Sequence, residues 1–197
     1  METYPQVIRR IVEHLRKFPG IGTKSAERIV AYLLRSDSHE ISAIANDLLA
    51  LKERIKPCRR CGNTADGELC AICANCNREH FLAVVENVED VAALEKAGFR
   101  GYYHVLGGTI DHLDGAGPER LSIASLLSRI EEEEFSEIII ATNATSEGET
   151  TAHYLTKILQ EYGCVFSRLG VGLPVGGELE YIDAETLKKS IEHRRKC

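Results

Sequence analysis

No apolar run in this 197-residue chain approaches the ~18 consecutive residues that a bilayer-spanning helix needs. Tryptophan is absent and methionine occurs once. The opening stretch METYPQVIRRIVEHLRKF is amphipathic, so it lacks the uninterrupted apolar centre of a secretory signal. These absences predict a cytosolic protein with no membrane role. A phosphate-cradling Gly-x4-Gly-Lys-Ser/Thr loop is also missing, which argues against ATP hydrolysis. One further absence is local. Residues 138–141 read as a buried strand, and phosphoryl-transfer enzymes often hold magnesium on aspartates just beyond such a strand. Here those places carry Asn143 and Thr145, ahead of Glu147, Gly148 and Glu149.

What is present suffices for a buried core: 44% of residues are hydrophobic and 27% charged. The net charge of −6 is unevenly spread. Residues 1–57 hold ten Lys/Arg against seven Asp/Glu, a net +3; residues 58–80 balance at three each; residues 81–197 hold eleven against twenty, a net −9. A basic head on an acidic chain localises any nucleic-acid contact to the head.

Apolar residues recur at helical spacing over 6–18, 24–35 and 40–55, with the turn signal PGIG between the first two and Pro57 after the third. From Phe81 the pattern becomes alternating strand and helix. Strands are expected at 81–86, 101–106, 137–142 and 164–169, and helices near 88–97, 121–132 and 147–162. Such alternation predicts an α/β unit with a parallel sheet flanked by helices. A tail, GVGLPVGGELEYID, leads to a last helix at 184–195.

CRRCGNTADGELCAIC places Cys58, Cys61, Cys70 and Cys73 as two C-x2-C knuckles, the spacing of a structural tetrahedral zinc. The polar loop between the knuckles is too poor in apolar residues to fold unaided, so metal binding would supply its folding energy. Cys76 extends the run to C-x2-C-x2-C, which resembles an iron–sulfur pattern but lacks the fourth Cys-Pro. Zinc is the stronger reading, and Cys76, Cys164 and Cys197 are expected to be unliganded.

In FPGIGTKSAERI, Gly20 and Gly22 permit a turn that exposes backbone amides, and Ile21 can anchor it. The next helix starts near Thr23, so its free N–H groups and positive dipole end face the same point, with Lys24 and Arg28 four residues apart beside it. This constellation suits one phosphate of a nucleic-acid backbone, gripped without reading bases. The plainer alternative is a helical hairpin capped by glycines. One such turn binds weakly, so affinity calls for several copies through self-association.

Glu86 ends the first strand of the α/β part, and the carboxyl ends of parallel strands form the functional crevice. Glu86, Asn143, Glu147 and Glu149 are therefore expected to meet there. An amide and a hydroxyl in place of two carboxylates suit Mg²⁺ poorly. Three glutamates without strong counter-ions would instead offer an anionic face to a basic partner.

FPGIGTKSAERI, the four cysteines, YHVLGG, ATNATSEGETTAHYL and GLPVGGELEYID together, over nearly the whole chain, resemble the bacterial recombination-repair family RecR. The resemblance implies a helix-hairpin-helix DNA-binding domain at 1–56, a four-cysteine zinc finger at 57–80, a Toprim domain at 81–176 and an oligomerisation tail at 177–197. Toprim enzymes show Asp-x-Asp then x-Glu-Gly-Glu; the Asn-bearing version here is similar to the RecR pattern. Asp111-His112, where the family more often has Ser-Pro, and Cys76 are departures. The resemblance further implies a ring-like homo-oligomer, dimeric or tetrameric, that binds DNA and works with RecO and RecF to load RecA at single-strand gaps. A magnesium-dependent Toprim nuclease or primase-like enzyme is the rival reading, and a zinc-dependent interaction module without a DNA role is a third.

Overall fold

The computed structural model describes residues 4–111, 115, 117–170 and 172–194. His112 and Cys197, singled out above, lie outside these residues, as does the expected end of the last helix. The chain forms two compact units, divided between Arg54 and Ile55.

The first unit is helical: Gln6–Leu15 (α1), Thr23–Leu33 (α2) and Ser38–Arg54 (α3). Its small core is Val12 of α1 with Ala26 and Val30 of α2, packed by Ile8, Ile11 and Leu15 of α1 and by Ile21 of the turn. None of α3's described residues is buried. Ile41, Ile44, Leu48 and Leu51, at spacings of three and four, line one stripe of α3 and are all exposed.

The second unit starts with a two-residue antiparallel ladder, Lys56–Pro57 (β1) against Thr64–Ala65 (β2), and one helical turn, Ala71–Ala74 (α4). These short pieces had no signal in the periodicity. Phe81–Val85 (β3), Val88–Lys96 (α5), Tyr102–Val105 (β4), Ile123–Glu132 (α6), Glu137–Ile140 (β5), Ser146–Glu161 (α7) and Phe166–Arg168 (β6) follow in alternation, and Ala184–Glu192 (α8) comes last. All pairings in the main sheet are parallel, in the order β4-β3-β5-β6.

β3 is central and apolar on both faces, as a strand covered by helices on each side should be. Leu82 and Val84 join Ile138, Ile140, Leu126, Leu155 and Leu159 in one core; Ala83 and Val85 join Tyr103, Val105 and Val91 in the other. From β3 the chain runs outward to β4, and from β5 it runs the opposite way to β6. The reversal opens a crevice at the carboxyl ends of β3 and β5. Glu86 and Asn143 follow those ends.

Candidate functional site

The α1–α2 turn matches its expected backbone at one decisive point. Gly20 has φ +78°, a conformation that disfavours any side chain, while Gly22 is extended and caps α2 with no side chain. Ile21 is half-buried against the small core, and its N–H donates to the Phe18 carbonyl at 3.2 Å. Lys24 and Arg28 are exposed beside the start of α2. An open groove of about 600 Å³ runs on along the same helix, lined by Arg28, Ile29, Tyr32 and Arg35. Tyr32 and Arg35 escaped the sequence reading, although their i+4 and i+7 spacing from Arg28 was visible.

The four cysteines converge. Cys58, Cys61, Cys70 and Cys73 are buried, and their sulfur atoms lie within 4.8 Å of one another. A tetrahedral zinc with bonds of about 2.3 Å separates its sulfurs by about 3.8 Å, so the set fits one ion with little movement. Cys61 and Cys70 Sγ are 3.6 Å apart. Backbone N–H groups of Cys70 and Cys73 donate to Cys58 and Cys70 Sγ, at 3.3 and 3.4 Å. Hydrogen bonding from Cys61 leads the effects that lower the Cys73 thiol, while the same bond and burial push Cys61 up. Cys76 is exposed and Cys164 half-buried; both are free thiols outside the cluster.

Around the cluster, Arg60 pairs with Glu133 at 2.8 Å, and Glu133 also accepts from Arg129 Nε at 3.0 Å. Burial raises the Glu133 carboxyl, but the two arginines outweigh it and hold it below the usual carboxylate range. His104 is buried beside them, and its Nε2 lies 2.8 Å from the Ser122 carbonyl. Burial lowers its pKa to about 4.

At the crevice, Asn143 donates its backbone N–H to Glu86 Oε1 at 2.7 Å and its Nδ2–H to Oε2 at 2.6 Å. Gly148 is required behind them. A Cβ there would collide with the Asn143 carbonyl and sit 2.6 Å from Glu86 Oε1. Thr145 caps α7 by accepting the Gly148 N–H at 3.1 Å.

The expectation of three glutamates without counter-ions is corrected here. Glu86 is buried and saturated by Asn143. Glu149 is paired with Arg168 at 2.6 Å and Lys189 at 3.2 Å, and Arg168 foremost holds its carboxyl below the usual range. Lys189 arrives from α8, 40 residues away in sequence, a pairing that no local pattern announces. Of the three, Glu147 alone is neither buried nor paired among the described residues.

The sequence profile of the Toprim domain matches residues 81–170, and that of the RecR four-cysteine zinc finger matches 55–75, which contains the four clustered cysteines. The RecR helix-hairpin-helix profile matches 8–52, and the RecR C-terminal profile 172–195. A protein of Magnetococcus marinus named recombination protein RecR is 46% identical over 190 residues, 95% of each chain. Proteins of the same name from Desulforudis audaxviator and Acidothermus cellulolyticus are 44% and 46% identical over 194 residues, 98% of each chain. The chain belongs to the RecR family. A RecR-type zinc finger and the geometry of the cysteine cluster agree on one structural zinc as its cofactor. Among the described residues of this RecR-family chain, no helix is long and apolar enough to cross a membrane.

Proposed function

We propose that this chain is a non-catalytic, DNA-binding mediator of recombinational repair in the bacterial cytoplasm, working at the nucleoid. Gly20, Ile21, Gly22, Lys24 and Arg28 grip a backbone phosphate without reading sequence. Cys58, Cys61, Cys70 and Cys73 hold the zinc that orders the polar loop between the two knuckles. The face at Glu86, Asn143, Glu147 and Glu149 docks a basic partner of the RecO or RecF type, promoting RecA loading at single-strand gaps. Functionally the chain divides into head (1–56), zinc finger (57–80), docking sheet (81–176) and oligomerisation tail (177–197). The exposed stripe of α3, with its coiled-coil spacing, supports self-association, which multiplies a weak phosphate contact into a dimeric or ring-like clamp.

One observation carries the non-catalytic reading: the Asn143 amide stands where a Toprim enzyme places a carboxylate, and both Glu86 oxygens are spent on it. A hard dication would have to displace those two hydrogen bonds to reach Glu86, and Asn143 and Thr145 would add no second anionic ligand. After correction for its partners, the docking face is centred on Glu147, and a basic partner competes with Arg168 and Lys189 for Glu149. The test is a DNA cleavage and relaxation assay in Mg²⁺. No turnover is expected; metal-dependent turnover that vanishes on Glu86→Gln would establish the nuclease reading instead.

A further inference from the structure

β4 is an edge strand, and an uncovered edge leaves N–H and C=O groups without partners. Two groups from distant parts of the chain cover it. The Val105 N–H donates to the Cys61 carbonyl at 2.8 Å, and the Tyr103 carbonyl accepts from Arg129 Nη1 at 2.6 Å. Residues two apart on a strand are about 7 Å apart. The zinc knuckle and the Arg129 guanidinium therefore lie side by side on one edge. Gly62 tightens the fit, since a Cβ there would approach the Val105 carbonyl at 3.1 Å.

We infer that Arg129, on the crossover helix of the Toprim sheet, is the positioning residue and charge partner of the zinc centre. Arg129 is 4% exposed. Its Nε pairs with Glu133, but Glu133 is shared with Arg60, whose Nη1 donates to the Cys73 carbonyl at 3.4 Å. Two guanidinium groups thus share one carboxylate, leaving one positive charge unmatched. Arg129 Nη2 is buried and has no partner among the described residues. A buried cation with an idle donor is costly unless an anion lies close by. Four thiolates around one dication carry a net −2, and they supply that anion across the shared edge. The arginine pair in turn offsets the mutual repulsion of the thiolates. Zinc retention then depends on a residue 56 positions beyond the last cysteine of the cluster, and the zinc finger and Toprim sheet hold each other in place.

Competition of the full-length, zinc-loaded protein against a chromophoric zinc chelator tests this inference. Arg129→Met keeps the length and removes the charge; outer partners of metal ligands commonly contribute about 10–100-fold in affinity, and a loss of that size is expected. Arg129→Lys keeps the charge and should lose several-fold less. Glu133→Gln discriminates further. It strips the carboxylate from the two arginines, leaving more positive charge beside the thiolates, so zinc should be held as tightly as before or tighter. A scaffold that merely needs its ion pairs would loosen in Glu133→Gln as in Arg129→Met, and that result overturns the inference. So does wild-type zinc affinity in Arg129→Met. Should Arg129→Met fail to fold, Glu133→Gln and Arg129→Lys decide by the same criteria.

Discussion

Asn143 clasps both carboxylate oxygens of Glu86, with its main-chain N–H on one and its side-chain amide on the other. The clasp joins the ends of β5 and β3 across the point where strand order reverses. Asn143→Asp swaps a donor for a second anion against a buried carboxylate. Loss of one charge-assisted hydrogen bond and gain of like-charge repulsion should cost about 2–3 kcal/mol. For a chain of this size that is a fall in Tm of roughly 5–10 °C, read by thermal unfolding of the zinc-loaded protein in magnesium-free buffer. Magnesium should restore part of the loss in the variant and leave the wild-type Tm unmoved. An undiminished Tm in Asn143→Asp would refute the clasp.

His104 gives the fold a defined acid sensitivity. Its folded pKa of about 4 lies below the unfolded value near 6.5, so the unfolded chain takes up the proton first. The stabilisation is complete above the unfolded pKa and is lost as pH falls from about 6.5 toward 4. At pH 5 this one group should have cost about 2 kcal/mol. Urea unfolding at pH 7 and pH 5 measures it, and His104→Gln should show a decline shallower by about that amount.

Lys24 and Arg28 are exposed beside a glycine turn and have no acidic partner among the described residues. Replacing both with alanine should weaken binding to all DNA sequences alike. The slope of log affinity against log salt should shrink by about 1.8 for duplex DNA, the release expected from two phosphate contacts. Fluorescence anisotropy over a salt series reads both quantities. An unchanged slope in a folded variant would remove these residues from the interface.

Much of this architecture was legible because the chain is locally consistent. β3 and β5 are short apolar runs, and α5, α6 and α7 are amphipathic segments between them, so the parallel sheet followed from pattern alone. Cysteine spacing anticipated the cluster, and the meeting of Glu86 with Asn143 followed from strand topology. What remained hidden depends on tertiary pairing. The α8 segment shows a helix, yet nothing in it says that Lys189 will neutralise Glu149. Arg129 reads as one more charged residue near a helix end, although it is buried against the β4 edge. Isoleucines and leucines on α3 announce an apolar stripe, but periodicity cannot distinguish a core-facing stripe from one left open.

Reversing charge at the acidic turn tests the central claim most directly. Glu147→Lys with Glu149→Lys should abolish capture of a RecO-type partner in a pull-down, because a basic face would then meet lysines beside Arg168 and Lys189. DNA binding, measured on the same sample, should stay unchanged or strengthen. Retained partner capture by the folded double variant would contradict the account.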